Sequence, residues 1–265
     1  MDSIFSLALL GIVQGLTEFL PVSSTGHLIL ARDFFSLDTE YGLAIDAVLH
    51  LATALAVLVY FRKDIVRLVK SFFSWVSGGM VVAQDKTLIT ALILGTVPAV
   101  AIGLSIEESI EHTFRNPELV AYALIGGSAL FFVAERLATH AKELTVGKGI
   151  VIGFFQALAL IPGVSRSGAT ISGGLLLGLK REAAARFAFL LSFPVILGAG
   201  ILKFLELGNV GVLESQGGAL FVGALAAFLS GLLAIYALLR FLKNNTLDVF
   251  IVYRLLLAGF ILFML

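Results

Sequence analysis

The 265-residue chain has no cysteine, a single tryptophan and five prolines, and only 14% of its residues are charged. Without cysteine, disulfides and thiolate metal sites are excluded, and the redox compartment leaves no trace in the sequence. Lys and Arg number 18 against 18 Asp and Glu, and a net charge of zero gives no electrostatic case for nucleic acid or an acidic partner. No basic segment precedes the first apolar stretch, whose earliest charge is Asp2, and no small-x-small cleavage site stands out, so no signal peptide is expected. What the chain has in abundance is apolar surface. With 59% hydrophobic residues and a mean hydropathy of +1.03, it carries more than one water-soluble core could hide. The expected class is an all-α, polytopic integral membrane protein.

Six stretches, roughly 43–61, 88–106, 118–134, 187–205, 218–239 and 247–265, are long enough to cross a hydrocarbon core of ~30 Å as helices. Two more apolar stretches, about 3–30 and 150–178, are interrupted midway, the first by Pro21, Ser23, Ser24 and Gly26, the second by Pro162, Gly163, Ser165, Arg166 and Gly168. Each reads as helix, break, helix. Loop charge decides whether these broken segments cross, because basic residues gather in cytoplasmic loops. Thirteen of the 18 Lys and Arg fall in 62–87, 136–149, 178–186 and 240–248, whereas 31–41, 107–118 and 206–217 are poor in them. The chain then alternates sides only if neither broken segment crosses, so both are drawn as re-entrant hairpins. The order becomes hairpin plus three spans, twice; three being odd, the second half is inserted upside down relative to the first. The expected single membrane domain, 1–265, thus consists of inverted halves at about 1–137 and 146–265.

Self-similarity supports that drawing. At a constant offset of 142, GIVQGLTEFLPVSSTGH (11–27) and GFFQALALIPGVSRSGA (153–169) share six of seventeen positions: Gly11, Gln14, Leu16, Val22, Ser23 and Gly26 with Gly153, Gln156, Leu158, Val164, Ser165 and Gly168.

Non-helical backbone at membrane depth must be buried in protein or line a wet cavity. Inverted hairpins bring both breaks near the midplane, where each following helix presents unpaired amides and the positive end of its dipole. SSTG (Ser23, Ser24, Thr25, Gly26) and SRSG (Ser165, Arg166, Ser167, Gly168) therefore read as halves of an anion site, best suited to phosphate. Arg166 at that depth costs at least ~2.5–3.5 kcal/mol without an anionic partner, and its planar fork suits phosphate oxygens. Glu18 can act as a base or hold a divalent cation, with the Gln14 carbonyl on the same face. His27, three residues after Ser24, has a spacing that allows proton exchange with the serine hydroxyl.

QGLTEFLPVSSTGH and PGVSRSGAT (162–170) resemble the two signatures of the undecaprenyl-diphosphate phosphatases of the bacitracin-resistance type, and length and span pattern fit over essentially the whole chain. The signature allows Glu or Gln four residues before Glu18, and this chain carries Gln14 there, so any metal role at that position is weaker than in members carrying Glu. The resemblance implies a phosphatase that removes the terminal phosphate of undecaprenyl diphosphate in a bacterial plasma membrane, through an outward-facing site and with a divalent cation, Mg2+ or Ca2+. The product would be the lipid carrier reused in cell-wall (peptidoglycan) synthesis, with bacitracin resistance as the consequence. It implies Ser24 as nucleophile, Glu18 and His27 as an acid/base or metal-linked pair, and Arg166 neutralising the transferred phosphoryl group. Ser165, Ser167, Thr170 and local amides would assist. Expected partners are the membrane and the lipid diphosphate, with no nucleic acid and with a homodimer left open. A secondary transporter or polyprenyl-phosphate flippase could use the same anion site, but has no need of a serine beside a histidine and a glutamate.

Other polar residues have plainer readings. Ser128 and Ser230 are expected to bond their own i−4 carbonyls. Arg254 is expected to snorkel to headgroups, and Pro98 and Pro194 to kink their spans. Asp46 and His50 share a helix face and either border the cavity or form a packing pair. Glu107, Glu108 and Glu111 read as a solvated acidic loop, with weak Ca2+ binding as the other reading.

Overall fold

The computed structural model describes residues 3–35, 42–113, 116–206 and 212–264, and among these every regular element is a helix. The first interrupted segment becomes α1 (Ser3–Phe19) and α2 (Ser24–Phe35), followed by α3 (Gly42–Tyr60), α4 (Arg62–Val76), α5 (Ala83–Thr113) and α6 (Pro117–Leu137). The second becomes α7 (Val146–Leu158) and α8 (Arg166–Leu176), followed by α9 (Arg181–Glu206), α10 (Val212–Phe241) and α11 (Asp248–Met264). Four stretches are long and apolar enough to cross a membrane, Ala83–Ser105, Pro117–Leu137, Arg181–Leu205 and Gln216–Phe241; α3 joined to α4 across a 79° bend makes a fifth. α11 has 17 residues, about 25 Å at 1.5 Å per residue. The chain is thus an all-helical, multi-pass membrane protein.

Local chemistry sets the boundaries. α6 opens on an Asn116 cap, whose side chain accepts the Glu118 amide at 2.9 Å, followed by Pro117, which has no amide to leave unpaired. α7 opens on Thr145, which caps Lys148 N at 3.3 Å. α1 ends at Phe19, two residues before Pro21, and α7 runs into a turn that holds Pro162 and Gly163, the latter at φ +104°. After each break a serine with positive φ precedes the next helix: Ser23 at +75° and Ser165 at +77°. These two are 142 residues apart, as are the helix starts Ser24 and Arg166.

Helix pairing repeats the same relation. α1 packs most extensively on α10, and α7 on α5. In the first pair a Cβ on Gly11 would strike the Gly223 carbonyl; in the second, a Cβ on Gly153 would strike the Gly95 carbonyl. Glycine is required at both places because the backbones touch, as in other small-residue membrane interfaces. A core of Phe19, Phe61, Phe131, Phe189, Ile171 and Leu191 fills the space between α1, α3, α6, α8 and α9, with the rings of Phe19 and Phe189 edge to face at 5.6 Å.

Two stretches read as loops are helical instead. Residues 62–76 of the basic segment form amphipathic α4, tied to α5 by Ser71 Oγ donating to Asp85 at 2.8 Å and by Arg67 at 3.6 Å from the same carboxylate. The acidic stretch after 107 continues α5 to Thr113; the side chains of Glu107, Glu108 and Glu111 lie outside the described residues, as does most of 31–41. Pro98 and Pro194 sit inside α5 and α9.

Candidate active site

Glu18, one residue before the end of α1 and 8% exposed, is where four helices meet. Its Oε2 accepts Gln14 Nε2 at 3.0 Å and Ser24 Oγ at 2.9 Å, and lies 3.8 Å from His50 Nε2 of α3. Its Oε1 accepts Arg166 Nη1 of α8 at 3.2 Å. A second strut joins the two breaks, Ser167 Oγ donating to the Leu20 carbonyl at 3.2 Å. The SSTG and SRSG segments, far apart in sequence, are therefore in contact.

Between them is a polar cavity of about 60 Å³, lined by Glu18, Ser23, Ser24, Thr25, His50, Ser165 and Arg166. At roughly 10–15 Å³ per water centre, that space suits a phosphoryl group. The α2 amides of Ser24, Thr25 and Gly26 precede the first intrahelical bond, His27 N to Ser23 O, so they are donors left over at a helix start. Ser165 Oγ takes up one α8 amide, that of Gly168, at 3.3 Å, and lies 3.3 Å from Ser167 Oγ.

Other expected site residues are placed differently. Thr170 spends its hydroxyl on Arg166 O at 2.7 Å and Ser167 O at 3.1 Å, and is almost fully buried. Gly168 is glycine because the Phe131 ring presses on it, so its place is a packing requirement of α8 against α6. Gly26 and Ser167 stand beside the cavity rather than in its wall. His27 does not meet Ser24: its Nδ1 is 2.7 Å from Ser23 O, and its Nε2 is 2.6 Å from Tyr253 Oη, with the two rings stacked. The histidine that faces Glu18 and the cavity is His50, held by Nδ1 to Asp46 O at 2.8 Å. Asp46 itself pairs with Arg32, so Asp46 and His50 are not a side-chain pair.

Arg254 corrects the snorkelling expectation. It is 0% exposed, donating from Nε to Ser128 Oγ at 3.1 Å and from Nη2 to Leu124 O at 3.1 Å and Gly163 O at 3.0 Å, with its guanidinium 4.6 Å from the Phe131 ring centre. It thereby pins the Pro162-Gly163 turn that presents Ser165 and Arg166. The sequence held a signal for this, since an ionisable residue well inside a span usually faces the bundle interior. Ser128 and Ser230 do bond their i−4 carbonyls, both at 2.7 Å. Nothing in the sequence pointed to Tyr253.

Among the described residues no three His, Asp or Glu cluster as a metal site. The donors at hand are the Glu18 carboxylate and Gln14 Oε1, which is buried without a partner. One carboxylate and one amide oxygen are the ligand types a hard divalent cation takes, and with Gln14 Nε2 on Glu18, Gln14 Oε1 would join such a cation with that carboxylate after an amide flip. Chemically, the arrangement couples a hydroxyl already donating to a carboxylate, a guanidinium and two helix starts around a phosphoryl-sized space.

The family described as bacitracin resistance protein BacA matches residues 7–260. The chain is 45% identical to an undecaprenyl-diphosphatase of Myxococcus xanthus (strain DK1622), over 99% of this chain and 89% of that one. It is 42% identical to an undecaprenyl-diphosphatase of Rubrobacter xylanophilus (strain DSM 9941 / JCM 11954 / NBRC 16129 / PRD-1), over 98% of both. A third, from Hahella chejuensis (strain KCTC 2396), is 41% identical over 96% of this chain and 95% of its own.

Proposed function

The chain belongs to the family of the bacitracin resistance protein BacA, and from that premise we propose how its residues act: it is an undecaprenyl-diphosphate phosphatase of the bacterial membrane. It releases inorganic phosphate and returns undecaprenyl phosphate to cell-wall synthesis, which is how such an enzyme confers bacitracin resistance. The observation that carries the chemistry is the 2.9 Å hydrogen bond from Ser24 Oγ to Glu18 Oε2, beside Arg166 and within a phosphoryl-sized cavity.

Ser24 Oγ attacks the terminal phosphorus as its proton passes to Glu18. The bond from that phosphorus to the bridging oxygen breaks, and undecaprenyl phosphate leaves. Arg166 and the amides opening α2 carry charge that builds on the equatorial oxygens. Glu18 gives the Ser24 proton to the departing undecaprenyl phosphate and, ionised again, takes one from the water that cleaves the phosphoserine, returning it to Ser24 Oγ as inorganic phosphate leaves. His50, within 3.8 Å of Glu18, is placed to relay the proton onward. Glu18 and Gln14 Oε1 would hold Mg2+ or Ca2+, which supplies further neutralisation of the diphosphate when bound. A carrier would use the amides and Arg166 but would have no use for the bond between Ser24 and Glu18, so hydrolysis is preferred to transport.

For the architecture we favour six spans, α3, α5, α6, α9, α10 and α11, with α1/α2 and α7/α8 as re-entrant hairpins of an inverted repeat. Its halves are 1–137 and 146–265, and the cavity opens to the outer side. Support comes from the 142-residue offset of Ser23 and Ser165, from the paired glycine contacts, and from the excess of basic loops on one side. α4, bent away from α3 by 79°, suits a helix lying along the cytoplasmic interface.

Purified protein in detergent should release phosphate from farnesyl or undecaprenyl diphosphate, and Ser24→Ala and Arg166→Ala should each cut turnover by about 10²-fold or more. Normal turnover in either variant would remove that residue from the mechanism.

A further inference from the structure

A second, larger cavity lies well away in sequence from the hairpin breaks. It occupies about 420 Å³ where the end of α3, the start of α9 and the end of α10 converge, and its polar wall includes Tyr60, Glu182, Arg186, Tyr236, Arg240 and Lys243. Three cations face one carboxylate, a formal surplus of two positive charges (3 − 1). Glu182, Arg186, Arg240 and Lys243 lie in the basic segments 178–186 and 240–248, and Tyr60 borders the basic segment 62–87. None of them lines the Ser24 cavity.

The cations are unequally engaged. Arg186 is already oriented, with Nη2 2.8 Å from Asp64 Oδ2 of α4 and its guanidinium 5.5 Å from the Phe61 ring centre. Lys243 meets Glu182 only at 3.7 Å, both side chains being about half-exposed, a pairing worth little and easily exchanged. Arg240 donates from Nη1 to Tyr236 Oη at 2.8 Å and has no carboxylate within ion-pair distance among the described residues. Because the phenol oxygen accepts from Arg240, the Tyr236 O–H remains free to donate to an incoming anion.

The approach to this cavity is apolar. Leu225, Leu229, Leu233 and Tyr236 are exposed on α10 at intervals of four, four and three residues, so they form one stripe along the helix that ends at Arg240. A lipid chain lying on that stripe brings its headgroup to the cavity. Two arginine forks, a lysine and a tyrosine hydroxyl match the oxygens and double charge of a phosphomonoester.

We propose that this cavity is a binding site for the phosphomonoester headgroup of a membrane lipid, separate from the Ser24 site. It stands independently of the hydrolase reading, since no residue is shared. With the loops assigned by charge, it faces the cytoplasmic leaflet.

The test is calorimetric titration of decyl phosphate, and in parallel inorganic phosphate, into the full-length protein in detergent. Arg166→Ala serves as background so that the Ser24 cavity contributes less. One saturable decyl phosphate site is expected, weakened about tenfold or more by Arg240→Gln with Lys243→Gln, as loss of charge-assisted hydrogen bonds requires. Glu182→Gln should tighten it, a direction that misfolding does not produce. Unchanged binding in the double variant, or weaker binding in Glu182→Gln, would overturn the site. Equal affinity for inorganic phosphate would overturn its assignment to a lipid.

Discussion

A hydroxyl donating to a carboxylate that also accepts from an arginine is the chemical unit on which the site turns, and Ser24, Glu18 and Arg166 form it within 3.2 Å contacts. Around that unit the two histidines divide differently from their spacing along the chain. His27 is tied to Tyr253 at 2.6 Å, so its effect should run through that bond. His27→Ala and Tyr253→Phe are expected to lower turnover by similar amounts, up to about tenfold as one hydrogen bond allows. The double variant should be no worse than either single one. A His27→Ala loss far beyond that of Tyr253→Phe would mean that His27 exchanges protons with Ser24 after all. Ser24, Glu18 and Arg166 were legible in the sequence because polar groups in an apolar stretch must find each other. The contacts of His27 and the burial of Arg254 were not legible because their partners, Tyr253 and Gly163, lie 226 and 91 residues away and leave no local pattern.

At the scale of helices, the breaks were legible and the surface helix was not. Proline, glycine and serine interrupt 3–30 and 150–178, and the helices stop and restart there. α4 escaped because Arg62, Lys63, Arg67 and Lys70 read as loop charge, while its apolar face, with Leu68 buried, is set by packing beside α5. Close helix contact supplies an expectation of its own. Gly11→Ala and Gly153→Ala place a Cβ against the Gly223 and Gly95 carbonyls, so each should destabilise by about 1–3 kcal/mol or more, the usual cost of overpacking. Thermal unfolding in detergent reads this. Gly147→Ala, where a Cβ meets nothing within 4 Å, should leave the midpoint unchanged or raise it; equal losses at all three positions would deny the tight pairs.

For the molecule as a whole, the absence of cysteine makes topology measurable without background labelling. Single cysteines at exposed Asn116, Ser77 and Asn245 test the two sides. A membrane-impermeant maleimide should label Asn116→Cys in intact cells once the outer barrier is opened, and Ser77→Cys and Asn245→Cys only after the membrane is permeabilised. Labelling of all three from outside would undo the inverted arrangement while leaving the local site intact. The most direct test of one phosphoryl site built from two helix breaks is to trap its intermediate. Undecaprenyl diphosphate labelled in the terminal phosphate is mixed with enzyme, quenched in acid, and the peptides are mapped. Label on Ser24, lost in Ser24→Ala and diminished in Arg166→Ala, is the expected result; label on another residue, or none while phosphate is released at the full rate, would contradict it.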